Sequence, residues 1–254
     1  YFQNYRDSLS AIIDGFEDSY YYGRRPVSPL MPSFRNVYKQ ETDFLRGYLV
    51  FWGAYRNSGN EKTNETIGGA YKDSLSEAGP WGVYMSMQGE VIPKHDNHVR
   101  LSQDQKDEWG IPQLITSVSY DENDEKMVKD FLVQGAEILQ VAGCKNLVPN
   151  DSKQAPGLAI HEMGGARMGK DPATSILNKW NQVHSCKNVF VTDGACMTSV
   201  GNQNPSLTFM DLTARAANYA IGELKRGNIY ITVFTIIKNT HRLSKVTSTS
   251  TQPP

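Results

Sequence analysis

The sequence is poor in cysteine. Cys144, Cys186 and Cys196 are scattered over 254 residues without C-x-x-C spacing. That excludes a zinc ribbon and argues against a disulfide framework. Net charge is also scarce. Lys and Arg total 26 against 27 Asp and Glu, a formal −1, so the balance points neither to nucleic acid nor to an anionic membrane. Long apolar runs are missing; Ile229–Ile237 reaches only about half of a bilayer span. No G-x-G-x-x-G follows a strand. Gly68-Gly69 and Gly164-Gly165 lack its spacing and its βαβ setting, so no dinucleotide pyrophosphate loop is read here. The chain does not open on Met and shows no signal-peptide pattern. Its start, Tyr1-Phe2-Gln3-Asn4, reads either as sequence from within a structure or as the scar of a cleavable tag. A fragment or processed chain is therefore expected.

What remains is globular: 39% hydrophobic and 21% charged residues, enough chain for one large domain or two modest ones. Residues 1–55 are aromatic-rich, with Tyr20, Tyr21, Tyr22, Phe34, Tyr38, Phe44, Tyr48, Phe51, Trp52 and Tyr55 interrupted by Pro26, Pro29 and Pro32; strands and loops are expected. A short helix is expected around Thr66–Ser76 and a strand over Gly82–Met87. A hairpin should pair His98–Leu101 with Pro112–Tyr120, connected by Ser102–Glu108. A helix capped by Asp124 should run through Met127, Val128, Phe131, Leu132, Ala136, Leu139 and Val141 to Gly143. Lys187–Asp193 reads as a short buried strand on Val189, Phe190 and Val191. Asn204 is a candidate N-cap with Pro205 in the first helical position. Met210, Thr213, Ala217, Ile221 and Leu224 form one face of that helix, which Gly227 can end. Residues 228–254, Thr/Ser-rich with a Pro-Pro end, are expected to be a flexible tail.

Three segments carry chemistry. Ile160-His161-Glu162-Met163-Gly164-Gly165-Ala166-Arg167-Met168-Gly169 sets an imidazole beside a glycine-rich turn. Val189-Phe190-Val191-Thr192-Asp193-Gly194-Ala195 is a strand ending in Asp-Gly. Asn202-Gln203-Asn204-Pro205-Ser206-Leu207-Thr208 opens a helix, whose N-terminus favours negative charge. A base, an amide side chain and a positive helix end suit proton removal and stabilisation of a developing anion. Singly, each has a bland reading: a structural histidine, a turn, a helix cap. His95, Asp96 and His98 make an H-D-x-H cluster, but at a turn where solvated polar residues are the norm, so no metal site is assigned.

Taken in this order, the three segments resemble the C-terminal signature of the glucose–methanol–choline (GMC) oxidoreductases, flavin enzymes that oxidise alcohols. The likeness is strongest from about Gly157 to Gly227. It extends weakly upstream through Asn97–Leu101, Lys106–Pro112 and Tyr20–Pro26. His161-Glu162-Met163-Gly164, Arg167-Met168-Gly169 and Asp193–Ser199 are most similar to bacterial glucoside 3-dehydrogenases. Many members have Thr where this chain has Gly165. The resemblance implies FAD as cofactor, His161 as catalytic base and Asn204 as its partner. It also implies flavin contacts from Asp193, Gly194, Asn204, Pro205 and Ser206. The implied fold is α+β. A substrate domain over 1–155 carries a mixed or antiparallel sheet with flanking helices. The segment 156–227 gives a strand and helix to an FAD domain that is otherwise absent. The implied activity is oxidation of a sugar or glycoside secondary alcohol, at C3. Electrons would pass to an acceptor other than NAD, a cytochrome c or a small partner subunit, in the periplasm. The rival readings are a non-catalytic carbohydrate-binding or scaffold remnant of such an enzyme, and a GMC enzyme for another sugar or polyol position.

Overall fold

A computed structural model describes residues 3–16, 28–58, 67–76, 78–158 and 160–229. The Tyr20–Pro26 segment and residues 230–254 of the expected tail lie outside them. The chain divides into two compact units. One holds the described residues up to Glu162 together with Ser199–Asn204; the other holds Met163–Thr198 and the described residues from Pro205 on.

The first unit is built on an antiparallel sheet. Its strands are β1 (Gln3–Asn4), β2 (Asp7–Ile13), β3 (Leu30–Phe34), β4 (Tyr48–Ser58), β5 (Ala78–Glu90) and β8 (Lys145–Asp151). The order is β3-β4-β5-β2-β8, with β1 also paired to β5. Two further strands, β6 (His98–Lys106) and β7 (Pro112–Ser117), form the expected hairpin as a separate sheet. The α1 helix (Gly69–Ser76) precedes β5, and α2 (Glu122–Val141) packs on β2, β5 and β8. The fold class is thus α+β, as expected from the sequence.

Strand alternation assigns the faces of β5. Met85 and Met87 point to the core, with Leu9, Ala11, Tyr48, Val50, Met127, Val128, Phe131 and Leu139. Helix α2 passes close over this face, since a Cβ on Gly89 would sit 2.5 Å from Met127 Sδ. Ser86, Gln88 and Glu90 project from the opposite face. Gln3 pairs with Glu90 in register, so its side chain shares that second face.

The cap of α2 differs from expectation. Asp121 is the N-cap, and Asp124 is the N3 residue of a reciprocal capping box. Asp124 follows the cap by three residues, so either acid satisfies the local pattern. Gln3 and Asn4, at the start of the described residues, are both buried and belong to the sheet.

The second unit contains β9 (Gln182–Val183), β10 (Cys186–Phe190) and α3 (Ser206–Lys225). β10 is not the buried strand expected. Four of its five residues are exposed and, among the described residues, it pairs only with β9. In α3 the face read from the sequence lies in the open. Met210, Thr213, Ala217, Ile221 and Leu224 are exposed, while Ala216 is the buried residue of the helix. The aromatic Tyr219 fixes the helix from the other side, stacking on Trp180 with centroids 4.8 Å apart.

Candidate active site

His161 follows a left-handed glycine, Gly157 at φ +80°, and itself has φ +73°. That backbone is costly for a residue with a Cβ, and such strain concentrates at functional sites. The imidazole is half-buried. Its Nδ1 lies 2.6 Å from Gln3 Oε1 and 3.1 Å from Gln88 Nε2. The same Gln88 Nε2 donates to Asn204 Oδ1 at 3.3 Å. One fully buried amide from β5 therefore lies between His161 and Asn204. Burial lowers the His161 pKa below the ordinary histidine value, opposed by the adjacent Glu162 carboxylate. The ring is accordingly neutral at pH 7, as a proton acceptor must be.

Asn204 does not cap α3. The N-cap is Pro205, without a side-chain hydrogen bond. The Asn204 amide is engaged by Gln88 instead. Its segment is moored to the sheet at three points. Ser199 Oγ donates to Glu90 Oε1 at 2.6 Å, Gly201 O accepts from Gln3 Nε2 at 3.1 Å, and Gln203 Nε2 donates to Pro32 O at 2.7 Å. The other Gln88 atom, Oε1, is buried without a hydrogen-bond partner. Such an acceptor is costly to leave empty, and it has capacity for a hydroxyl.

In the second unit, the two remaining motifs are joined. Gly164, Ala166 and Met168 donate backbone N–H groups to the carbonyls of Gly194, Ala195 and Cys196 at 3.1, 2.9 and 3.0 Å. Asp193 caps the 3-10 turn Gly194–Cys196 by accepting from Ala195 N. This pairing sets the glycine-rich segment alongside the Asp-Gly turn. Residues 93–213 match the family model described as GMC oxidoreductase.

This stretch belongs to the GMC oxidoreductases.

Curated relatives agree. The chain is 36% identical over 132 residues to paromamine 6'-oxidase of Streptomyces fradiae, covering 52% of this chain and 24% of that protein. It is 33% identical over 148 residues to the fructose dehydrogenase large subunit of Gluconobacter japonicus, covering 58% and 26%. It is 30% identical over 196 residues to 2-methyl-1,2-propanediol dehydrogenase of Mycolicibacterium austroafricanum, covering 70% and 34%. The chain thus spans between 24% and 34% of the length of these relatives.

The cofactor of GMC oxidoreductases is FAD, and the chain has groups that fit part of it. The first turn of α3 carries no side-chain cap and no acidic residue. Its N–H groups around Ser206 are therefore left to meet an electron-rich partner. Asp193 and Gly194 have less to offer by side chain or carbonyl, since the Asp193 carboxylate caps its own turn and Gly194 O accepts from Gly164 N. A Cβ on Gly165 meets nothing within 4 Å, so the Thr common in the family would fit, and its absence here leaves only an open position. A depression of about 420 Å³ in the second unit is lined by Lys170, Lys179, His184 and Arg215 among others, and contains neither His161 nor Asn204. Among the described residues no three metal-ligating side chains gather, and no helix is long and apolar enough to cross a membrane. Sequence reasoning missed Gln3 and Gln88. The strand expected over Gly82–Met87 ends one residue short of Gln88; extending its alternation would have aimed Gln88 away from the core.

Proposed function

We propose that this chain supplies the substrate side and the catalytic pair of an FAD-dependent oxidoreductase that converts a secondary alcohol of a sugar or glycoside to a ketone, at C3. Bound FAD would accept the hydride from the carbinol carbon. The residues of this chain manage the proton and the charge. His161, neutral because it is buried, takes the hydroxyl proton. Gln88 occupies Asn204 Oδ1, which leaves the Asn204 Nδ2 hydrogens to donate to the alkoxide oxygen as negative charge develops. Segment 156–227 is read as the flavin side, with Asp193, Gly194, Pro205 and Ser206 near the isoalloxazine, and residues 1–155 as the substrate side. The single observation that carries this reading is that one buried amide, Gln88 Nε2, lies 3.1 Å from His161 Nδ1 and 3.3 Å from Asn204 Oδ1, which brings the two side chains to one place. Sugar substrates are supported by the fructose and paromamine relatives, and the C3 position by the wording of the motifs around His161 and Asp193. A large-subunit relative supports electron transfer to a partner subunit or cytochrome c.

The test uses the flavin-loaded enzyme. His161→Asn, which tolerates the left-handed backbone, should lower kcat by about 10²–10⁴ and leave the bound flavin spectrum unchanged. In the wild type, the acid limb of kcat/KM should titrate below the ordinary histidine value, because the lowered pKa keeps the base competent to lower pH. Wild-type-like turnover in the variant would overturn the role of His161. NMR of the product from a methyl glucoside should show a 3-keto sugar, and a C6 aldehyde would overturn the C3 assignment.

A further inference from the structure

The polar contacts of Gln3 fix the position of a proton on His161. Its Nε2 faces two backbone carbonyls, Gly201 O at 3.1 Å and Gln203 O at 3.5 Å. Carbonyls only accept, so the Gln3 atom facing them must be the nitrogen, and its amide cannot be turned over. The atom 2.6 Å from His161 Nδ1 is therefore the Gln3 oxygen. Two lone pairs at that separation repel, whereas an N–H···O bond at the short end of the range attracts. Nδ1 must carry the hydrogen.

Gln88 makes the opposing claim on the same nitrogen. Its Nε2 at 3.1 Å could donate to Nδ1 only if Nδ1 held a lone pair. That contact is longer. Gln88 Nε2 also has another acceptor in Asn204 Oδ1, whereas Gln3 Oε1 has no other donor among the described hydrogen bonds. Gln3 is 1% exposed, so water is a poor substitute partner.

We infer that Gln3 is a positioning residue that fixes His161 as its Nδ1–H tautomer, leaving the Nε2 lone pair as the atom that receives the substrate proton. The assignment of a proton-accepting role rests on the function proposed above; the tautomer itself does not. Gln3 touches neither substrate nor cofactor in this account. It acts through His161, and through Gly201 and Gln203 it ties the ring to the segment that carries Asn204. A triad acid orients its histidine in the same sense, by accepting from Nδ1–H, and here a neutral amide does so without adding charge.

The experiment reads the tautomer directly. The full chain is labelled with 15N-histidine, and the His161 resonances are assigned by their loss in His161→Asn. Long-range proton–nitrogen correlations above the His161 pKa should give a pyrrole-like Nδ1 and a pyridine-like Nε2. Gln3→Leu should shift both nitrogens toward an averaged or reversed pattern. Gln3→Glu, which restores an acceptor, should retain the wild-type pattern, as should Gln88→Leu. In the flavin-loaded enzyme Gln3→Leu should lower kcat by about 10-fold or more with KM little changed, because a wrong tautomer impairs proton transfer. A pyridine-like Nδ1 in the wild type overturns the inference. So does an unchanged pattern in Gln3→Leu. If Gln3→Leu fails to fold, loss of the Nδ1–H pattern in folded Gln3→Glu overturns it. A wild-type Nδ1–H pattern in a chain that proves unable to support alcohol oxidation would sink the functional reading alone.

Discussion

Asp7 lies in β2 opposite Asp151 of β8, 2% exposed, and neither of its carboxylate oxygens has a hydrogen-bond partner. Burial pushes its pKa up to about 7; Asp151 and Glu125 add to the shift, while Arg6 and Lys153 oppose it. The native state therefore holds a proton that the unfolded chain has released above its ordinary value of about 4. Stability is fully supported below that value, falls as pH rises toward about 7, and levels off beyond. Asn mimics the protonated acid. The melting temperature of Asp7→Asn should match wild type near pH 4 and exceed it by a margin that grows to a plateau above pH 7. A difference independent of pH would contradict this. The residues of the candidate site were legible to different degrees for a related reason. His161 and Asn204 sit in motifs whose residue types announce their chemistry. Gln3 and Gln88 are plain amides with no motif, and only the register of β1 on β5 shows that they meet at one imidazole.

At the scale of elements, α2 and the β6–β7 hairpin were readable because each is amphipathic or bounded by clear turn signals. β5 was under-read, as Gly79, Pro80, Gly82 and Gly89 all resemble strand breakers. The structure supplies the reason for one of them. Gly82 lies opposite Tyr55 and Gly53 opposite Tyr84. A Cβ at Gly82 would come 2.6 Å from the Tyr55 ring, and one at Gly53 2.7 Å from the Tyr84 ring. Each tyrosine covers the glycine across from it, an exchange invisible in either strand alone. The union of α2 with the sheet is the most consequential packing in the first unit. Phe131, 1% exposed, meets Tyr48 edge-on at 5.9 Å, and the Tyr48 hydroxyl donates to Asp130 Oδ2 at 2.7 Å, with Arg35 paired to the same carboxylate. Phe131→Ala should cost about 3–5 kcal/mol, seen as a lowered midpoint in urea unfolding. A loss below about 1 kcal/mol would mean that the helix is not anchored there.

For the molecule as a whole, the exposed face of α3 matters most. Leu207, Met210, Ala214, Ala217, Ile221 and Leu224 recur at alternating steps of three and four residues, the spacing of a helix–helix seam, and all are exposed. Apolar stripes of this kind drive association. The isolated 254-residue chain should elute above its 28.4 kDa monomer mass in size exclusion with light scattering. Met210→Ser with Ile221→Ser should return it to a monomer, and a monodisperse wild-type monomer would refute the idea. The two faces of β5 set another limit, one that bears on descent rather than on assembly. Core methionines and the Gln88 amide alternate along one strand. Deleting a single residue between Trp81 and Met87 would turn every later side chain over, sending Gln88 toward α2 and exposing a methionine to His161. Lineages that keep this chemistry can lengthen or shorten β5 only by even steps, so the strand should drift freely in residue identity on its outer ends while its length parity stays frozen.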